Sequence, residues 1–245
     1  MELQQFFQEH QKLALAFSGG ADSALLLRMA HDAGVTVRPY FMKTAFQPDF
    51  ELESAALVCA ELGIDLEILE LDILGCDGVA ENGPRRCYFC KKALFTAILE
   101  QAKADGFDTV IDGTNASDDA ADRPGMKALE ELGVLSPLRL CGITKDEVRR
   151  LSAQLGLFTA NKPPYACLAT RVPTGEEITE DKLELVEDAE GMLYTLGFSD
   201  LRIRLNGEIA RVQLPVEQML IGEIMKDTIR MALSPWFKDI VLEKR

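Results

Sequence analysis

Two groups of residues carry chemistry in their type and spacing. The first is Ser18-Gly19-Gly20-Ala21-Asp22-Ser23, which follows a short apolar run and opens a helical pattern. Such a loop points backbone N–H groups and the positive end of a helix at one place, where a phosphate binds. Gly19 and Gly20 let the backbone approach the anion, and Ser18 and Ser23 can donate hydroxyls. Asp22 would repel phosphate unless a Mg²⁺ lies between them, which makes it a candidate metal ligand and catalytic residue. The bland reading is a glycine turn with Asp22 as a helix cap. The second group is cysteine: Cys87 and Cys90 in a Cys-x-x-Cys, flanked by Arg85, Arg86, Lys91 and Lys92, with Cys167 far along the chain. The basic flank favours thiolates. The spacing alone suits a redox pair, half a zinc site or part of an iron–sulfur site. With His10 and His31 the only histidines, a third cysteine is the better partner.

Guanidinium groups form a third set. Arg202 and Arg204 alternate along an expected strand and project to one face, an arrangement that suits a phosphate as well as a solvated basic edge. Arg123, in Asp122-Arg123-Pro124-Gly125, is a candidate phosphate contact on an expected tight turn.

These residues need a scaffold. Lys12 to Phe17 reads as a strand leading into the Ser-Gly-Gly loop and a helix. Val35 to Met42 and Asp65 to Leu71 read as strands around a helix from Phe50 to Leu62. A helix from Cys87 to Ala104 leads to a short strand at Thr109 to Ile111, which ends in Asp112-Gly113-Thr114-Asn115. Val134 to Leu138 is expected as a last strand, and Thr144-Lys145-Asp146-Glu147 as a capping box opening a helix to Leu155. The alternation predicts an α/β domain with a parallel sheet. After a proline-bearing loop from Asn161 to Gly175, the pattern becomes a helix from Thr179 to Leu196, a hairpin turning at Asn206-Gly207 and a helix from Val216 to Ala232. Residues 1–165 are expected to form the first domain and 166–245 a small α+β domain for substrate binding or oligomerisation. Cys167 would then stand at the boundary, where a pocket between domains is expected.

The chain has 26 basic and 40 acidic residues in 245, a net charge of −14. That balance argues against extended nucleic-acid binding and for a small-molecule partner. Neither a signal-peptide pattern nor an apolar run near eighteen residues is present, so no membrane partner is expected and the cytoplasm is the expected compartment. In that compartment six cysteines read as thiols, ligands or catalytic groups, with Cys59 and Cys141 as core thiols.

The octapeptide around Ser18 resembles the pyrophosphate loop of the adenine-nucleotide α-hydrolase (PP-loop) superfamily. No Walker-type phosphate loop is present. The resemblance implies ATP and Mg²⁺ as cofactors and cleavage between the α and β phosphates. Gly113 and Thr114 would be nucleotide contacts at a strand's carboxyl end. Lys43, with Thr44, would lie on the adenosine side.

Together with Arg85 to Phe95 and Lys162 to Arg171, these motifs resemble the LarE family of ATP-dependent sulfur transferases over nearly the whole chain. This resemblance implies adenylation of a carboxylate of pyridinium-3,5-biscarboxylic acid mononucleotide and replacement of oxygen by sulfur, toward the nickel-pincer nucleotide. Members either sacrifice the sulfur of one cysteine or hold a 4Fe-4S cluster on three. Cys167 fits the single-cysteine position in both types, and the presence of Cys87 and Cys90 points to the cluster type. Sulfide or another donor would supply the sulfur. The family places an arginine pair near the substrate phosphate, here Arg202 and Arg204, with Glu190 as an acidic neighbour, and Arg171 is expected to bind substrate with them. It has a glutamate at or near Gln213, where this chain departs from the pattern. A homo-oligomer is implied. A tRNA thiolase and a nucleotide- or cluster-binding sensor without turnover are the alternative readings.

Overall fold

The computed structural model describes residues 2–118 and 123–245; the side chain of Arg123 lies outside the described residues. The chain folds as two compact units, Met1–Val79 with Arg85–Lys162, and Ala80–Pro84 with Pro163–Arg245. In chain order, the first unit holds α1 (Leu3–Glu9), β1 (Lys12–Ala16), α2 (Ala21–Asp32), β2 (Thr36–Lys43), α3 (Asp49–Leu62), β3 (Glu67–Glu70), α4 (Arg86–Ala104), β4 (Val110–Ile111), α5 (Arg123–Glu131), α6 (Pro137–Leu140) and α7 (Lys145–Gln154). The second holds α8 (Glu180–Thr195), β5 (Arg202–Asn206), β6 (Ile209–Leu214), α9 (Met219–Ile224), α10 (Lys226–Leu233) and β7 (Asp239–Lys244).

In the first unit four parallel strands run in the order β3-β2-β1-β4. Period-two alternation sends successive side chains to opposite faces. Leu13, Leu15 and Phe41 join α2, α3 and α7 in one core, while Ala14, Tyr40 and Met42 join Phe95, Ile98 and Ala102 of α4 in another. Both faces are therefore covered, as a parallel sheet requires. From β1 the chain steps outward to β2 and β3, then crosses to β4 on the other side of β1. The gap beyond the carboxyl ends of β1 and β4 is the topological switch point, where such sheets bind ligands.

The expected strand at Val134 to Leu138 forms only a single parallel bridge, Leu135 with Ile111. Pro137 carries no N–H to extend a ladder and instead starts α6, the position proline favours in a helix. The expected tight turn at Asp122-Arg123-Pro124-Gly125 also differs: Asp122 lies outside the described residues, and Arg123, Pro124 and Gly125 form the first turn of α5. Of the expected capping box the N-cap half forms, with the Glu147 N–H donating to Thr144 Oγ1 at 3.4 Å, while the Glu147 carboxylate lies 3.5 Å from Arg150.

In the second unit β5 and β6 form the antiparallel hairpin, and β7 adds a parallel strand to β6 that the sequence pattern did not signal. The expected helix from Val216 to Ala232 is interrupted: a 3-10 turn at Val216–Gln218 precedes α9, and Met225 separates α9 from α10. Within α9, Gly222 sits so close to β6 that a Cβ there would lie 2.5 Å from Leu214 Cδ1, and α10 is held by buried Ile229 and Leu233. Ala80–Pro84 belongs to this unit through Asn82, whose side-chain amide donates to the carbonyls of Val172 (3.3 Å) and Pro173 (2.8 Å). Among the described residues no helix is long and apolar enough to cross a membrane.

Candidate active site

The Ser18–Ser23 loop leaves β1 and enters α2 with Gly20 as N-cap. Gly19 has φ +66°, and a Cβ there would stand 2.7 Å from the backbone nitrogen of Ala55. Positive φ and the lack of room each require glycine. Hydroxyls hold the loop from inside: Ser23 Oγ donates to the Gly20 carbonyl at 3.2 Å and lies 3.2 Å from Ser18 Oγ, which accepts from the Gly20 N–H at 3.3 Å. The orphan N–H groups at the start of α2 thus face a preformed bend.

The second expected nucleotide contact arrives beside it. Gly113, just past β4, packs against the start of α2 so closely that a Cβ would be 2.9 Å from Ser23 N. Next to it, Asp112 is buried and receives the hydroxyls of Ser136 (2.6 Å) and Thr114. Burial raises its pKa, opposed by those two hydroxyl bonds. Thr114 is thereby engaged in holding the turn. Asn115, nearly fully buried, donates from its side-chain amide to Asp22 Oδ1 at 3.1 Å. The sequence pattern named the Asp112–Asn115 turn as a nucleotide contact, with Gly113 and Thr114 as the contact residues; that Asn115 touches the loop aspartate was not expected.

Two lysines at the loop were also missed. The Lys145 ammonium pairs with Asp22 Oδ2. Its position followed from the capping box, which places residue 145 first in α7, but nothing local pointed it at Asp22. The Lys162 ammonium donates to the Gly19 carbonyl at 3.3 Å and lies 5.8 Å from the centre of the Phe50 ring. Burial pulls its pKa below the ordinary lysine value, with Glu51 opposing. Lys43, by contrast, is an exposed residue 3.9 Å from Asp49, and Thr44 beside it turns inward to donate to Gln47 at 2.6 Å.

Cys87 and Cys90 lie in the first turns of α4, three residues apart and so on neighbouring positions of one face. The Arg86 guanidinium donates to Cys87 Sγ at 3.8 Å, and Arg85 stacks 5.2 Å from the Phe89 ring centre. Tyr88 ties this helix to α5 by donating to Glu131 at 2.6 Å. Within this unit no third His, Cys, Asp or Glu joins the pair in a metal-holding group among the described residues. Cys59 is buried in the core, its pKa pushed up to about 11 by burial, and Cys141 packs against the same core.

In the second unit Cys167 caps a 3-10 turn spanning Leu168–Arg171. Arg171, fully buried, holds that turn: its guanidinium donates to the Ala166 carbonyl (2.6 Å), to the Cys167 carbonyl (3.4 Å) and to Glu190 Oε1 and Oε2 (2.8 and 3.1 Å). Glu190 also accepts from Tyr165 Oη at 2.8 Å and from the Ile203 N–H at 2.9 Å. Burial and the Glu190 charge raise the Tyr165 pKa. Glu190 sits on the buried stripe of α8 with Leu183, Val186, Ala189 and Leu193, a position that obliges a charge to be paired. Arg202 and Arg204 do project to one face of β5, opposite buried Ile203 and Leu205. Arg204 is occupied, donating to Gln213 (2.9 Å) and the Thr170 carbonyl (3.0 Å). Arg202 has no hydrogen-bond or ion-pair partner among the described residues, and burial followed by the charges of Arg245, Arg171 and Arg204 lowers its pKa. Asp200 opposes that shift.

No protein-family model matches the chain. It is 35% identical over 236 residues to the pyridinium-3,5-bisthiocarboxylic acid mononucleotide synthase of Lactiplantibacillus plantarum, a match covering 95% of this chain and 86% of that enzyme. An uncharacterized protein of Synechocystis is 40% identical over 220 residues, 89% of this chain and 81% of the relative. The tRNA-specific 2-thiouridylase of Roseiflexus castenholzii is 30% identical over 205 residues, covering 62% of this chain and 55% of that protein. With the phosphate loop built at the switch point of a parallel sheet and a match of this extent, the chain belongs to the LarE family of sulfur transferases, within the PP-loop superfamily.

Proposed function

We propose that this chain is a cytoplasmic ATP-dependent sulfur transferase that adenylates a carboxylate of pyridinium-3,5-biscarboxylic acid mononucleotide, releases pyrophosphate, and replaces the activated oxygen with sulfur to give a thiocarboxylate for nickel-pincer nucleotide synthesis. The observation that carries the adenylation half is the cradle formed where Gly19 and Gly113 meet backbone too closely to admit a side chain. A polyphosphate would lie against the N–H groups of α2, with Ser18 and Ser23 shaping the loop. Asp22 is the residue to hold Mg²⁺, whose charge would offset that of the polyphosphate. Arg202, with Arg204 and Arg171 behind it, is the candidate seat for the phosphate of the substrate nucleotide.

For the sulfur half, Cys87, Cys90 and Cys167 are the proposed ligands of a 4Fe-4S cluster, which would offer sulfur on the iron that has no protein ligand. Arg171 and Glu190 act here as positioning residues for the Cys167 turn. Leu220, Ile224 and Met231, all exposed on the second unit, support self-association there.

The test is release of AMP and pyrophosphate dependent on the pyridinium substrate, which Asp22→Ala should abolish. Undiminished release in that variant would remove Asp22 from the mechanism. Anaerobically prepared protein should be brown with about four irons per chain. A loss of about 34 Da at Cys167 after a single turnover would instead mean sacrifice of the cysteine sulfur.

A further inference from the structure

Asp22 has one carboxylate and two side chains donating to it, one neutral and one charged. Oδ1 is fixed by the buried Asn115 amide, and Oδ2 is occupied by the Lys145 ammonium. A carboxylate can accept at about four positions, so neither contact alone saturates it. A divalent cation at Asp22 would nevertheless meet the ammonium at the same oxygen. The two contacts differ in kind. Asn115 is nearly fully buried and locked at both ends, its Oδ1 accepting from the Ser117 N–H at 2.8 Å and its own N–H donating to Asp118 at 2.8 Å. Lys145 is held only at its root, where Thr144 caps α7 and the Lys145 N–H donates to Ser117 Oγ at 3.0 Å. Its side chain is 30% exposed, with four methylenes free to swing.

We infer that Lys145 is an exchangeable counter-ion of the phosphate loop. It neutralises Asp22 while no metal is present, yields Oδ2 when Mg²⁺ arrives with ATP, and passes its ammonium to the polyphosphate. No bond is made or broken in this exchange. One positive charge moves from a carboxylate to a phosphate while a divalent ion takes its place. Without the lysine, the carboxylate would face the incoming nucleotide with only the neutral Asn115 amide as a partner. This inference rests on the adenylation reading for its second half only; the competition for Asp22 stands without it.

The test separates the two. Binding of Mn²⁺ to nucleotide-free protein, read from loss of the free-ion electron paramagnetic resonance signal, should be about fivefold tighter in Lys145→Met than in the unaltered protein, the scale set by loss of one partly exposed ion pair. In an Asp22→Asn background the same change should make no difference, which excludes sites elsewhere on this acidic chain. ATP binding should weaken in Lys145→Met and recover in Lys145→Arg, which keeps the charge. A thermal unfolding scan establishes that each variant is folded. Equal Mn²⁺ affinity with and without Lys145 would overturn the inference. Absence of pyrophosphate release from the unaltered enzyme, with the Mn²⁺ shift intact, would instead overturn the adenylation reading alone.

Discussion

At the phosphate loop the charged groups stand near solvent, whereas in the second unit a comparable pair is sealed in the core. The side chains of Asp22 and Lys145 retain 23% and 30% exposure, while those of Arg171 and Glu190 retain 0% and 2%. Every strong hydrogen-bonding direction of Glu190 is filled by protein, from Arg171, Tyr165 and the Ile203 N–H. Asp22 has two partners and room for more. The same two charge types thus serve different ends: a buried, fully bonded pair fixes the path of the chain around Cys167, and an open pair can be exchanged for a ligand. Arg202 completes the contrast, a half-buried guanidinium with like-charged neighbours and no partner among the described residues.

The largest effect should come from breaking the sealed pair. Arg171→Met leaves the Glu190 charge buried without its counter-ion, and loss of about 3–5 kcal/mol of unfolding free energy in urea is expected. The corresponding break at the loop, Asp22→Ala, should leave unfolding nearly unchanged. A small loss for Arg171→Met would mean that the two pairs do not differ as the exposures indicate. Gly19→Ala comes next. It forces a side chain into positive φ and into the Ala55 backbone, so a loss of about 2 kcal/mol is expected, with loss of ATP binding by calorimetry. The smallest effect concerns pH. Because burial lowers the Lys162 pKa, the unfolded chain binds more protons between that lowered value and the ordinary lysine value, and stability should rise with pH across the interval. Lys162→Met should flatten that rise in urea midpoints taken at alkaline pH. An unaltered slope would mean that the ammonium at the Gly19 carbonyl is as well solvated as a surface lysine.

Much of the first unit was legible because its signals are local. β1 and α2 announce themselves by an apolar run and a glycine turn, and Thr144 and Glu147 by their spacing. The hairpin was legible for the same reason, although its turn falls at Gly207 and Glu208, one residue later than the pattern predicts. Where a signal depended on partners far along the chain, the reading failed. Leu135 looked like a strand residue and makes only one bridge, because Pro137 ends the ladder. Residues 216–232 carry a helical apolar pattern, yet the chain divides there into a 3-10 turn and two short helices. β7 has few buried positions and was not signalled.

By itself the sequence determined the chemistry available: a loop that must bend through positive φ, a cysteine pair one helical turn apart, and arginines alternating on one strand face. These follow from periodicity and from what each residue's backbone allows. Only the tertiary structure decided how the charges are used. Asn115, Lys145 and Lys162 meet the loop from 93, 123 and 143 residues away, and Arg171 finds Glu190 across 19. Such pairings are set by how strands and helices pack, and no local pattern encodes which carboxylate a given ammonium will reach.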